Sequence, residues 1–282
     1  MIAVVYSGSN YAEWRLADKN RTIASFKTSG INPYFDDEKQ IISLLNKNIN
    51  LIHHAEEIRH IYFFGAGASS PELKSIVQRA FSAFFKFGKV IVEHDIAAAA
   101  IACCKNTAGI ICICGSGSNA AWYDGKKVKS NNYGLGYILA DEGSANWLGR
   151  QLLKGFMSQT LPDNIQKKFS KRYDFDRKTL LEKIYRQKHP ALFLSSFTDF
   201  YLENREDVFI KEIISSGFEK LFSTYLLPLH DQHPEALLYF AGSVASGFQG
   251  QLFEVAASAN LHIANIIKEP INNLLTYYSN KN

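Results

Sequence analysis

The sequence predicts an α/β protein assembled from two similar halves. Three observations carry that reading. Each half opens on a buried, apolar strand run followed by a turn of small residues. Strand runs then alternate with helical stripes. The letters SGSN recur at 7–10 and 116–119, in matching places after those first strands. At 282 residues the chain suits two domains of ordinary size or one large α/β domain.

The elements follow in order. MIAVVY is short, apolar and β-branched, so it reads as a buried strand. Ser7-Gly8-Ser9-Asn10 is a turn, and AEWRLAD and RTIASFKTSG are two more strands around a tight turn at Lys19-Asn20. After the start signal Asp36-Asp37-Glu38, helical spacing joins Ile42, Leu45, Ile49 and Ile52. HIYFFGAG is a strand ending in glycines. Ser70-Pro71 forms an N-cap and first-turn pair for a helix whose face carries Leu73, Ile76, Val77, Ala80 and Phe84. KVIVEHD is a strand, and IAAAAIACC a strong helix former with Asp95 at its start.

The pattern then begins again. GIICICGSGSNAAWYDGKKVKS reads as three short strands and two glycine turns, Gly115-Ser116-Gly117-Ser118 and Asp124-Gly125. Helix starts near Ser144, and 162–227 reads as one long helical segment with a stripe at Ile210, Ile213, Ile214, Gly217 and Leu221. ALLYFAGSVASGF runs from strand through a glycine turn into helix, LHIANIIK is strand-like, and EPINNLLTYY closes the chain as a helix.

Composition excludes several classes. Hydrophobic residues are 46% and charged residues 21%, enough to bury a core. Net charge is +4 with both signs mixed, so no basic stripe points to nucleic acid, and KKFSKRYDFDRK reads as a solvated helix face. Cys103-Cys104 and Cys112/Cys114 lack zinc spacing, and strand alternation puts the latter two on one buried face; they read as reduced core thiols. The eight histidines show no metal spacing with carboxylates. The start of the chain lacks signal-peptide character and no stretch is apolar for long enough to span a bilayer, so the expectation is a cytoplasmic protein without membrane partners.

A Gly/Ser turn between strands lets backbone N–H groups approach a phosphate with no side chain in the way. Three such turns follow apolar strands: 7–10, 115–118 and Gly242-Ser243-Val244-Ala245, the last at a strand-to-helix junction. One alone reads as an ordinary hairpin turn; three in this order read as nucleotide binding, through Ser7, Gly8, Ser9, Asn10, Gly115, Ser116, Gly117, Gly242 and Ser243.

On the segments EHDIAAAA, GIICICGSGSNAAWYDG, YGLGYILADEGSANWLGRQLL and LYFAGSVASGF, the chain resembles the N-acetylglucosamine kinase group of the BadF/BcrA-type ATPases, within the actin–Hsp70–sugar-kinase superfamily. The resemblance covers essentially the whole chain. It implies two ribonuclease-H-like domains with mixed sheets and an interdomain cleft that closes on sugar. The expected domains are 1–115, joined by a C-terminal helix at about 266–282, and 116–265 with a helical insertion. It implies transfer of the ATP γ-phosphate to a hexosamine 6-hydroxyl, with ATP and Mg²⁺ as cofactors, nucleotide and amino sugar as partners, and a homodimer as the family's option.

The resemblance makes Asp95 the catalytic base, since transfer to a hydroxyl wants a carboxylate to accept its proton. The bland alternative is an N-cap for the following helix. Asn32, Asn119 and Asp141 match sugar-contacting positions, with Ser116, Ser118 and Glu142 close enough to contribute. Asn32 reads equally as a turn residue before Pro33, and Glu142 as an acid near a helix N-terminus. Trp14, Trp122 and Trp147 more often pack cores than stack on sugars.

One segment departs from the family. Its first turn runs roughly D-S-G-S-T-K-T-x-W, whereas this chain has Y-S-G-S-N-Y-A-E-W from Tyr6 to Trp14. Tyr6 stands in the place of the Asp that holds Mg²⁺, Asn10 in that of the Thr, and Tyr11 in that of the Lys. Losing that carboxylate and cation removes several kcal/mol of transition-state stabilisation, at about 1.4 kcal/mol per tenfold in rate. Three readings follow: a working amino-sugar kinase with another metal carboxylate, a degenerate kinase that binds amino sugar as a sensor or regulatory protein, and a kinase with a different acceptor such as glucosamine or N-acetylmuramic acid.

Overall fold

The computed structural model describes residues 1–8, 10–19, 21–187 and 189–281. Ser9 of the expected phosphate turn and Asn20 of the Lys19-Asn20 turn therefore lie outside the described residues. The chain divides into two compact units: Met1–Thr107, Gly125–Val128 and Glu269–Asn282 form the first, and Ala108–Asp124 with Lys129–Lys268 the second.

In the first unit, β1 (Ile2–Ser7), β2 (Tyr11–Asp18) and β3 (Arg21–Ser29) form an antiparallel meander. Then come α1 (Glu38–Leu45), α2 (Ile49–His54), β4 (His60–Gly65), α3 (Pro71–Phe84), β5 (Lys89–His94) and α4 (Asp95–Cys104). Strands β4 and β5 join parallel, giving the order β3-β2-β1-β4-β5. Central β1 and β4 are buried almost throughout because helices cover both faces, which is why they read as unbroken apolar runs. Edge strand β3 alternates between exposed and half-buried residues. Trp14 is a core residue, fully buried, stacked between Phe26 and Phe81 with its indole N–H given to Thr28 Oγ1 at 3.0 Å.

The second unit starts with β6 (Gly109–Cys114) and β7 (Ser118–Tyr123), an antiparallel hairpin. Helices α5 (Gly136–Leu139), α6 (Ala145–Ser158), α7 (Asp163–Arg172), α8 (Arg177–Tyr185), α9 (Pro190–Ser195), α10 (Thr198–Glu203) and α11 (Val208–Leu221) follow. A π-turn (Phe222–Leu226) leads into α12 (Leu227–Gln232). Then come β8 (Leu238–Ala241), α13 (Ser243–Gly247), α14 (Gln249–Ser258) and β9 (Ile263–Ile267); α15 (Ile271–Ser279) belongs to the first unit. The sheet order β7-β6-β8-β9, one antiparallel and two parallel pairings, repeats β2-β1-β4-β5 of the first unit.

Three expectations are corrected. The boundary at 115/116 would cut the β6–β7 hairpin; the second unit starts at Ala108 instead. The third strand of the second meander is reduced, among the described residues, to a single bridge at Val128, with the Lys129 amide bonding the Trp122 carbonyl at 2.8 Å. The stripe from Ile42 to Ile52 is two helices: Asn46 closes α1, Asn48 caps α2, and Ile49 and Ile52 are 78% and 51% exposed. The helical segment expected over 162–227 is found, as five helices and the π-turn. Ser70 caps α3 as expected, and α6 starts where the sequence puts it, with Ser144 as its N-cap.

None of the four cysteines is in a disulfide, and all four are buried. Burial raises every thiol; Cys104 goes from an ordinary 9.0 to about 12. A raised folded-state value means that the unfolded chain ionises first, so the stability held below pH 9 is lost as pH climbs through 12. Thermal melts should therefore fall progressively above pH 9, and a thiol-specific reagent at pH 8 should modify the cysteines only once the chain is unfolded. Fast reaction of the native protein would contradict this burial.

Candidate functional site

Each unit carries its own group of the expected site residues. In the first, the carboxyl ends of β1, β4 and β5 bring Ser7, Gly65 and His94 into one row, with Asp95 next along the chain. Such ends of an open sheet are where α/β proteins bind ligands. Asp95 is the first residue inside α4; the N-cap is His94, and no side chain makes a capping bond there. The capping role is thereby corrected, and the carboxylate is left for other work. Its side chain is 16% exposed, and Oδ1 lies 3.2 Å from His94 Nδ1 without forming a hydrogen bond.

Tyr6 is half-buried at the end of β1. Burial first, then the nearby Asp95 carboxylate, Cys103, Tyr11 and Glu13, push its phenol far above the usual range, so it stays protonated. The Ser7 side chain is committed to the fold: its hydroxyl gives a bond to the Ile31 carbonyl at 3.0 Å and takes one from the Ile31 amide at 2.8 Å. Gly8 closes the turn by giving its N–H to the Tyr11 carbonyl at 3.1 Å, and Asn10 is exposed. Asn32 Oδ1 accepts from the Tyr34 amide at 3.0 Å, so the turn role of Asn32 is real.

The sequence reading missed a pair beside this turn. Glu13 faces Tyr6 across the ladder and is almost wholly buried. Its Oε1 binds Lys27 Nζ at 2.9 Å, whereas Oε2 has no partner. The Lys27 ammonium also sits 3.8 Å above the Tyr11 ring. A cation from β3 therefore stands beside the position where the family carries its lysine. A charged letter at an inward strand position was the only signal.

Mg²⁺ in a nucleotide site needs at least one carboxylate beside the phosphates. A neutral phenol occupies that place, Glu13 is engaged by Lys27, and no three His, Cys, Asp or Glu side chains among the described residues gather as metal ligands. The first turn does not fit a divalent cation.

In the second unit, the turns after the parallel neighbours β6 and β8 meet. A Cβ on Gly115 would lie 3.8 Å from the Gly242 Cα and the Ser243 amide nitrogen. Gly242 has φ +129°, and a Cβ there would overlap the Cys114 carbonyl, so only glycine fits. The Gly115 and Ser116 carbonyls accept from the Ala145 and Asn146 amides at 2.9 and 3.0 Å, which ties the turn to the start of α6.

Asp141 fixes the other side. It is buried at φ 63°, a left-handed conformation that Asp tolerates better than most residues. Its Oδ1 accepts from the Ser118 amide at 3.0 Å and Oδ2 from Asn146 Nδ2 at 2.8 Å. A side chain at Gly117 would run into this carboxylate. Ser118 gives its hydroxyl to the Glu142 carbonyl at 2.8 Å. Asn119 Oδ1 and Glu142 Oε2 are buried without partners. Asp141, Glu142, Ser116, Gly117, Ser118 and Asn119 are thus one assembly, and Asn146 is a member that the sequence reading missed. Trp147 packs in the core and Trp122 stacks on His233 at 3.8 Å.

Two mixed sheets of repeated order define an actin-like, two-unit sugar-kinase fold. No family model matches the chain. A solved structure from Porphyromonas gingivalis, provisionally assigned as an N-acetylglucosamine kinase, is 30% identical with a TM-score of 0.93 over 99% of each chain. On that likeness the chain belongs to the N-acetylglucosamine kinase-like family of sugar kinases. An N-acetylmuramic acid/N-acetylglucosamine kinase of Clostridium acetobutylicum is 32% identical over 127 residues, 45% of this chain. That match spans 38% of the curated relative's length. A glucokinase from Streptomyces griseus, solved with glucose and AMPPNP, covers 99% of this chain and 97% of its own at TM-score 0.56 and 11% identity, a likeness of fold alone.

The close approach at Gly242 gives a test. Gly242→Ala should cost about 2–4 kcal/mol in denaturant unfolding, from backbone overlap and strained φ together. Gly250→Ala, in α14 with nothing near its added Cβ, should change stability by less than about 1 kcal/mol. Equal costs at the two glycines would refute the close-approach argument.

Proposed function

We propose that this chain is an ATP-dependent amino-sugar kinase that transfers the γ-phosphate to a hexosamine 6-hydroxyl. The observation that carries the reading is the Asp95 carboxylate, at a strand end, free of any capping role and with a buried oxygen that has no hydrogen-bond partner. Asp95 accepts the proton of the 6-hydroxyl as its oxygen bonds to the γ-phosphorus, and the bond from that phosphorus to the bridging oxygen breaks, releasing ADP. The Gly115–Ser118 and Gly242–Ser243 turns hold the phosphates through backbone amides. Asn32, Asn119, Glu142 and Ser116 bind sugar hydroxyls, with Asp141 holding that assembly in shape. Lys27 supplies the cation that Tyr11 cannot. No step is routed through a metal.

A second reading has its own observation. Tyr6 is held neutral where the family has a carboxylate, which suits a sugar-binding sensor without turnover.

Sugar-dependent ADP release separates the two. With N-acetylglucosamine, glucosamine and N-acetylmuramic acid offered in turn, the kinase reading expects turnover with one of them, lowered about 10²- to 10⁴-fold by Asp95→Asn. Calorimetric sugar binding with no ADP from any of the three would favour the sensor. Tyr6→Asp adds a third carboxylate beside Asp95 and Glu13. Its melting temperature should drop in EDTA through like-charge repulsion and recover with Mg²⁺ and nucleotide, whereas the natural chain should respond little to EDTA. A large response of the natural chain would overturn the misfit at the first turn.

A further inference from the structure

Arg150, in α6, reaches back over the segment that leads into Asp141. Its Nη2 gives a hydrogen bond to the Ala140 carbonyl at 3.1 Å, and its Nη1 gives one to the Tyr137 carbonyl. These carbonyls belong to the end of α5, where a helix leaves its last carbonyls without internal partners and positive charge is favoured. A guanidinium is planar and presents its donors in a fixed fork, so one side chain holds two backbone points at once.

Little else holds this segment. None of the four residues of α5 is buried, and no side chain caps its start. Leu135, Ile138 and Leu139 are 60%, 72% and 75% exposed. Gly134 and Gly136 have φ of 73° and 77°, so the chain enters α5 through two left-handed joints. Tyr133 and Tyr137, on either side of those joints, lean on the core. The segment also borders the candidate site at both ends. At its start, a Cβ on Gly134 would stand 2.8 Å from Asn119 Nδ2. At its end, Ala140 hands the chain to Asp141, whose carboxylate holds the Ser118 amide and the Asn146 side chain.

We propose that Arg150 is a positioning residue for the acceptor site: its fork pins Tyr137 and Ala140, and through them the Asn119 amide that meets a polyhydroxylated ligand and the Asp141 that frames it. This rests on the amino-sugar reading above. Arg150 acts through backbone carbonyls, so its loss loosens the site without removing any group that bonds the ligand.

The test uses the full chain. N-acetylglucosamine and AMPPNP binding are measured by calorimetry, and hydrogen exchange is followed over residues 134–140. Arg150→Ala removes the fork. Expected is an N-acetylglucosamine Kd raised about tenfold, with faster exchange of the Ala140 amide, which bonds the Gly136 carbonyl at 2.8 Å. AMPPNP affinity and melting temperature should hold, because α5 contributes no buried residue. Arg150→Lys keeps the charge without the fork and should lose nearly as much sugar affinity. Unchanged exchange or unchanged sugar affinity in Arg150→Ala, full affinity in Arg150→Lys, or a sugar loss accompanied by a fall in melting temperature and AMPPNP affinity would each overturn the assignment. A natural chain that binds no sugar at all would instead remove the amino-sugar reading, and this inference with it.

Discussion

The Asp141 carboxylate is the anchor of the second unit's site. One oxygen holds the Ser118 amide and the other the Asn146 side chain. It therefore fixes both the turn after β6 and the start of α6. A buried carboxylate with fewer donors would be expensive, and its satisfied state is what allows a left-handed backbone at a non-glycine residue. The small residue at Gly117 and the tie from Ser118 to the Glu142 carbonyl both go with this geometry. The ligand contacts proposed for Asn119 and Glu142 would inherit their precision from a group whose two oxygens are both occupied.

The two units run the same sheet pattern with different chemistry at the first turn. In the second, glycine and serine backbone is presented on a rigid frame. In the first, Ser7 is absorbed into structure, Tyr6 is neutral, and the charged pair Glu13–Lys27 lies beside the turn. A phenol between carboxylates cannot take up the charge that it replaces. In the proposed reaction, electrostatic work at this end falls to Asp95 and to a lysine drawn from the neighbouring strand.

Much of this was legible in the sequence, for physical reasons that differ by element. Strands β1, β4, β6 and β8 are covered on both faces, so each is a run of apolar letters. Ser70 and Ser144 announce their helices because capping is local chemistry. What failed was non-local. The Ile42–Ile52 spacing satisfies a helix stripe, yet nothing in the letters shows that the chain breaks at Asn46 and turns Ile49 outward. Asp95 looks like a cap but stands one residue too late for it, since His94 takes that position with no bond to offer. The Glu13–Lys27 pair depends on strand register, and the π-turn on an extra residue in a helical turn, which a fixed period cannot display.

Strand β3 ends the five-stranded sheet and shows solvent an alternating row of exposed residues. An open strand edge is a template on which another chain can add itself, and uncontrolled addition leads to aggregation. Arg21 and Lys27 lie along this edge, and a second strand bringing its own cations would meet them head on. The lysine that the proposed reaction places near a phosphate would then also be a guardian of solubility, and replacing it would risk precipitation as well as lost turnover.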